Sequence, residues 1–189
     1  MKLGGTLMNR VSIIIHSING NCFIIASNLK DILEKRNIDV RLYKVKDEDL
    51  HLAANKDEAA NEYYEDIIDL PLVQIEKLLK SKMIIMGCPA IFSNITAEMT
   101  EFLDSTKELS EDGSLKGKYF TCFTSSQKGT VDGAGCIKAL ETWANAMQMN
   151  IVEEIPRIIH DSGPEGMVRP SINIANQLNK IADWIEANF

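Results

Sequence analysis

Two common ways of gripping a nucleotide are missing from this chain. No G-x-G-x-x-G follows an apolar run, so a dinucleotide laid across the first helix is not expected; no G-K-[ST] offers a lysine and hydroxyl to a triphosphate and its Mg²⁺. A nucleophile elbow of the G-x-S-x-G type is missing too. Cations are in short supply: 20 Lys and Arg against 27 Asp and Glu leave a net charge of −7. That balance argues against nucleic-acid binding by counterion release. The four cysteines, Cys22, Cys88, Cys122 and Cys136, lie far apart without metal-type pairing and read as reduced thiols of a cytoplasmic protein. No apolar stretch approaches the roughly 18 residues of a membrane helix. The run at Val11 is too short for a signal peptide and has no small-residue cleavage site, so the chain reads as neither secreted nor anchored. Met1 to Asn9 show no pattern and read as a loose arm without function, with Met8 as an alternative start.

What is present is the composition of an ordinary folded protein, 45% hydrophobic and 25% charged over 189 residues, enough for one domain with a sizeable core. The organising stretch is Val11 to Cys22, VSIIIHSINGNC. Val11, Ile13, Ile14 and Ile15 form a β-branched run too short for a surface helix, which suits a parallel strand covered on both faces. A polar loop, His16-Ser17-Ile18-Asn19-Gly20-Asn21, leads into Ile25, Leu29, Ile32 and Leu33 at helical spacing. Strand, polar loop and helix N-terminus together bring unpaired backbone N–H groups and the positive end of the helix dipole to one place. An anion, most often a phosphate, is expected there.

Further along, Asn37 stops the first helix, and Val40, Leu42 and Val45 alternate as an edge strand. Lys46 to Asp69 is an acidic, Ala- and Asn-rich excursion, read as a solvated, partly helical segment. Leu72, Ile75, Leu78 and Leu79 predict a short helix starting near Pro71. Met83 to Met86 predicts a third strand, ending in the loop Gly87 to Asn94. Asn94 is the expected cap of a helix carrying Ile95, Met99, Phe102 and Leu103. Tyr119 to Thr124 predicts a fourth strand, followed by the polar loop Ser125 to Gly135 and a helix with Ile137, Leu140, Ala144 and Met147 in register. Asn150-Ile151-Val152 starts a fifth strand, Pro156 to Pro170 reads as a Gly- and Pro-punctuated loop, and Ile174, Leu178, Ile181 and Ile185 stripe the last helix. Strands alternating with helices give a doubly wound parallel sheet, which binds ligands at the carboxyl ends of its strands. The loops after strands one, three and four are therefore the expected site.

The first loop offers hydroxyl, amide and backbone donors with no cationic side chain, which suits a phosphate monoester such as that of FMN. Ser17-Ile18-Asn19-Gly20-Asn21, Pro89-Ala90-Ile91-Phe92-Ser93-Asn94, Thr96-Ala97-Glu98-Met99 through Phe102-Leu103-Asp104, Leu115-Lys116-Gly117-Lys118 and Phe123-Thr124-Ser125-Ser126 come in an order and spacing that carry a likeness. Together they resemble the flavodoxin-like NAD(P)H:quinone oxidoreductases of the tryptophan-repressor-binding-protein type and the broader NADPH-dependent FMN reductases. The resemblance spans roughly residues 11 to 152. It implies a flavodoxin-like five-stranded sheet of order 2-1-3-4-5, FMN as cofactor, NADH or NADPH as co-substrate, and a homodimer or homotetramer whose neighbours help to cover the flavin. It also implies that Ser17, Asn19, Gly20, Asn21 and Cys22 hold the phosphate, with the flavin ring between Pro89 to Asn94 and the Ser125 to Gly135 loop, Ser125, Ser126 and Gly133 included. The chain departs from the pattern at Cys22, where Thr or Ser is usual, at Ala90, Ile91 and Ser93, and at Ala146 to Met149, which lacks the His that the quinone reductases often carry.

Each remaining signal has a plainer reading beside the functional one. Cys22 sits at a helix N-terminus, where a thiol can be activated, but packing is the expected role. His16 is read as making a structural hydrogen bond as readily as touching phosphate, and Trp143 and Tyr63-Tyr64 as core before stacking partners. Adjacent His160 and Asp161 are expected to face different ways rather than act as an acid–base pair. The expected function is an FMN-dependent NAD(P)H oxidoreductase reducing a quinone or similar small acceptor, with no catalytic side-chain dyad. The alternatives are a flavodoxin-type electron carrier docking through its acidic surface, and a flavin-free interaction protein that kept the fold.

Overall fold

The computed structural model describes residues 9–189. The expected N-terminal arm falls on residues 1–8, outside the described residues, except for Asn9, whose amide donates to the Phe189 carbonyl at 2.8 Å. Strand β1 (Arg10–Ile15) pairs in parallel with β2 (Asp39–Lys44) on one side and β3 (Met83–Ala90) on the other. Beyond β3 come β4 (Tyr119–Ser126) and β5 (Asn150–Ile151), giving the flavodoxin-like order β2-β1-β3-β4-β5. A further short strand, β6 (Ile158–Asp161), also lies parallel to β4. The helices are α1 (Asn21–Lys35), then α2 (Leu50–Ala54), α3 (Glu58–Glu62), α4 (Tyr64–Ile68) and α5 (Ile75–Leu79). After them come α6 (Ala97–Ser105), α7 (Glu108–Asp112), α8 (Thr130–Ala146) and α9 (Ile172–Asn188).

The mostly apolar run of β1 follows from its place in the middle of the sheet. Val11, Ile13 and Ile15 point into a core shared with Ile25 and Leu29 of α1 and Leu178 and Ile181 of α9. Ile14 points the other way, into the core formed with Ile84, Met86, Leu140 and Trp143. A strand with a core on each side has no face left for polar residues. Its one fully buried polar residue, Ser12, has its hydroxyl 2.6 Å from that of Ser81. Each such aliphatic side chain, fully removed from water, contributes about 1.5–3 kcal/mol. Asn37 ends the α1 unit with φ 59, a left-handed conformation that Asn tolerates better than most.

Several boundaries differ from expectation. Strands β3 and β4 run on to Ala90 and Ser126, so Ser125 and Ser126 are buried strand residues rather than loop residues. The cap of α6 is Thr96, whose hydroxyl accepts from Met99 N–H at 3.3 Å; Asn94 instead accepts from Ile95 N–H. Helix α5 starts at Ile75, and Leu72 pairs with Lys44 at the edge of the sheet. The 46–69 excursion folds as three short helices. The largest change concerns the fifth strand, which ends at Ile151 and resumes as β6 inside the segment read as a loop. Arg157 makes the interruption tolerable: its guanidinium donates to the Val152 and Ile155 carbonyls at 2.8 and 3.1 Å and to Glu141 at 2.6 Å. Main-chain carbonyls left out of the ladder thus keep their partners.

Candidate functional site

The first turn is built around one glycine. His16 N–H still donates to the Gly87 carbonyl at 3.0 Å, so β1 stays zipped to β3 up to the loop. Ser17 Oγ then accepts Phe23 N–H at 3.1 Å, and Gly20, at φ 82, leads into α1. Earlier first-turn N–H groups have no acceptor within the helix and carry the positive end of its dipole. A β-carbon at Gly20 would stand 2.3 Å from Tyr63 Cδ2, because the Tyr63 ring lies on that glycine. The aromatic reading of Tyr63 is therefore neither core nor cofactor stacking but a lid on the loop backbone.

The second element is a tight two-residue turn. Ile91 and Asn94 exchange both backbone hydrogen bonds at 3.0 Å, with Phe92 at φ 49 and Ser93 at φ 60. A turn with positive φ at both central positions ordinarily takes Asn-Gly or Gly-Gly. Here two residues with side chains accept it, and Ser93 is anchored by donating to Asp132 Oδ1 at 2.8 Å. Gly135 gives this turn its seat, since a β-carbon there would come within 1.9 Å of the Ser93 carbonyl oxygen. Phe92 is left 93% exposed.

At the end of β4, Ser125 Oγ lies 3.1 Å from Nδ1 of buried His160 on β6. Burial pushes the His160 imidazole below its ordinary value, against the upward pull of the Arg169 main chain and Asp161. Asp161 faces solvent, so the two adjacent residues do point apart, and His160 pairs with Ser125 instead. His16 makes its own structural bond, Nε2 to Asp47 Oδ2 at 2.9 Å, and the ring holds the Asp47 carboxyl below the usual range. Trp143 is core, its Nε1–H donating to Thr106 Oγ1 at 2.9 Å.

Between these three strand ends lies a cleft of about 340 Å³. Ser17, Asn19, Asn21 and Cys22 line it from the first loop, and Pro89, Ala90, Ile91 and Phe92 from the second. Ser125 comes from the end of β4, Gln127 and Lys128 from the turn after it, Asp132 from α8 and Ser162 from the segment after β6. Of the other expected residues, Gly20 lies under Tyr63, Asn94 closes the turn, and Ser93 is bonded to Asp132. Ser126 Oγ accepts Lys128 N–H at 3.2 Å. Gly133 brings α8 against β6, for its β-carbon would meet Ile159 Cγ2 at 2.3 Å. Burial holds the Cys22 thiol far above its ordinary value, so it stays protonated.

The segment after β6 supplies what the sequence pattern did not. Asn21 donates its amide N–H to the Gly166 carbonyl at 3.0 Å. Arg169 donates to the Asn19 carbonyl, to Asn21 Oδ1 at 3.3 Å, to the Ala59 carbonyl at 3.3 Å and to the Glu62 carboxylate. Its guanidinium lies 4.8 Å over the Tyr63 ring. The first loop itself carries no cationic side chain, but it is gripped by a guanidinium 147 positions beyond Cys22 (169 minus 22).

The model of the family described as NADPH-dependent FMN reductase matches residues 9–161. An NAD(P)H dehydrogenase (quinone) from Archaeoglobus fulgidus is 27% identical over 120 residues, 64% of this chain and 63% of that protein. One from Aromatoleum aromaticum is 42% identical over 57 residues, 30% of this chain and 28% of that protein. The chain therefore matches less than two thirds of the length of these curated relatives. Among solved structures, a Streptococcus pneumoniae TIGR4 flavodoxin superposes with a TM-score of 0.68 at 14% identity, covering 95% of this chain and 99% of that one. A flavodoxin, WrbA-like protein from Agrobacterium tumefaciens superposes with a TM-score of 0.62 at 15% identity, covering 94% and 95%. At such identities these two likenesses speak for the fold alone. With most of its length matched by the family model and the flavodoxin-like strand order in place, the chain belongs to the NADPH-dependent FMN reductase family.

Proposed function

We propose that this protein is an FMN-dependent NAD(P)H oxidoreductase that passes electrons to a quinone or similar small acceptor. The observation that carries the reading is the cleft itself, with a donor-rich helix N-terminus at one end and the Pro89 to Phe92 wall beside it. Hydroxyl, amide and main-chain donors suit a phosphate monoester, and a volume of about 340 Å³ is within the range of small-ligand sites. When bound, FMN supplies the chemistry, accepting a hydride from the nicotinamide and giving up electrons to the acceptor. The protein's own groups bind and orient. Ser17, Asn19, Gly20, Asn21 and Cys22 hold the phosphate, mostly through main-chain N–H groups because a protonated thiol is a weak donor. The wall from Pro89 to Phe92 and Ser125 on the other side flank the ring, with Ser93, Asn94, Ser126 and Gly133 shaping the turns behind them. His160, kept neutral by burial, holds the Ser125 hydroxyl in place.

Phe92 and Val131, 93% and 75% exposed, flank the Ser93–Asp132 contact beside the cleft, which supports a homodimer or homotetramer closing over the site. Among the described residues no helix is long and apolar enough to cross a membrane, and four free buried thiols support a cytoplasmic setting. The test is spectroscopic. NADH or NADPH added without oxygen should bleach protein-bound FMN within seconds, and a benzoquinone should restore the colour over repeated cycles, with ping-pong kinetics because both substrates need one face. Bleaching by a partner reductase but by neither nicotinamide would establish an electron carrier instead. Failure to bind FMN at all would leave a flavin-free protein.

A further inference from the structure

We propose that Arg169 sets the strength and phosphate selectivity of the FMN site by holding the first loop in its anion-binding shape. This rests on the FMN reading above. A loop that binds a dianion through main-chain N–H groups must keep its own acceptors out of the way. Two of the loop's acceptors are the Asn19 carbonyl and the Asn21 side-chain oxygen, and Arg169 engages both. In a trans peptide the C=O and the next N–H point in opposite directions. Holding the Asn19 carbonyl against the guanidinium therefore turns the Gly20 N–H away from Arg169. Asn21 is fixed as completely, its oxygen taken by Arg169 and its amide N–H by the Gly166 carbonyl.

The guanidinium can do this because it is itself held. Glu62 and the Ala59 carbonyl bind its outer edge, and the Tyr63 ring that covers Gly20 lies beneath it at 4.8 Å. One planar fork thus joins the 162–170 segment, α3 and the first loop, and an ammonium group on a flexible stem cannot reproduce that geometry. Arg169 and Gly166 both lie beyond residue 161, where the family match ends. Arg169 is a positioning residue, since both of its terminal nitrogens donate to protein acceptors.

The test uses the full-length apoprotein and compares FMN with riboflavin, which lacks only the phosphate. Dissociation constants for both are measured by flavin fluorescence for the wild type, Arg169→Lys and Arg169→Ala, with melting curves for each. Losing the charge-assisted contacts to the loop should weaken FMN by about tenfold or more while riboflavin changes by less than about twofold. Lys should rescue little of the loss. Inorganic phosphate should raise the melting temperature of the wild-type apoprotein and not that of Arg169→Ala. A wild type that prefers FMN beside variants that prefer it as strongly overturns the proposal alone. So does an equal loss of both ligands, which marks a merely structural role. A wild type that binds FMN no better than riboflavin overturns the FMN reading and this proposal with it.

Discussion

Gly20→Ala probes the most tightly constrained point of the candidate site, and its cost separates into two parts. The first is conformational. At φ 82 a residue with a β-carbon pays roughly 1–2 kcal/mol for the left-handed region. The second is steric, because the new methyl would stand 2.3 Å from Tyr63 Cδ2, 2.7 Å from Cγ and 3.0 Å from Cβ. Those are the near atoms of the side chain rather than its tip, so relief requires moving the whole ring, and with it the face on which Arg169 lies. We expect a total loss of about 2–3 kcal/mol, within the usual span of damaging single substitutions. For a chain of this length that is a fall in melting temperature of about 4–12 °C, at 2–4 °C per kcal/mol. Thermal unfolding of the apoprotein measures it. In a Tyr63→Ala background most of the steric part should vanish, since only the retained β-carbon at 3.0 Å stays close, leaving mainly the conformational part, about 1–2 kcal/mol. An equal cost of Gly20→Ala in both backgrounds would refute the claim that Tyr63 packs on the loop backbone. Gly20→Val should likewise disturb Tyr63 and α3–α4 before it meets any phosphate.

Three further outcomes are expected. His160 has its pKa depressed by burial, so the fold disfavours its protonated form; stability is unaffected above the ordinary value of 6.5 and is lost as pH falls from there through the lower folded-state value. His160→Gln should flatten the melting-temperature profile in that window. A profile unchanged by the substitution would show that His160 is not held neutral. Asp47, whose depressed pKa adds stability at higher pH, should contribute to the loss only near and below 3.8. Phe92→Gly should remove the strain of a positive φ from a side chain that is 93% exposed, leaving stability unchanged or raised by up to about 1 kcal/mol. If Phe92 flanks the flavin, the same variant should bind FMN more weakly, and unaltered FMN affinity would remove Phe92 from the wall.

Hydrophobic pattern carried the architecture, because a two-sided core writes itself into the chain. The mostly apolar β1 run, the helical spacing of α1 and α9, and the polar loops at the strand ends are all consequences of what each residue must face, and they are legible in the chain itself. Strand ends were less so. Ser125 and Ser126 are polar yet extend β4, since parallel pairing with β3 and β6 satisfies their backbone whatever their side chains. The restart of the sheet at β6 depends on Arg157 reaching carbonyls and Glu141 from different elements, which no local pattern records. The Phe92-Ser93 turn lacks the Gly or Asn that normally announces its conformation. It exists because Asp132 and Gly135 on α8 hold it in place. Sequence alone therefore determined the layers, the strand order through the resemblance, and three of the loops that meet at the cleft. Only tertiary structure decided that Arg169, Gly166 and Tyr63 close over the first of them, because long-range polar contacts leave no periodicity in the chain and arise solely from which segments the packed core brings together.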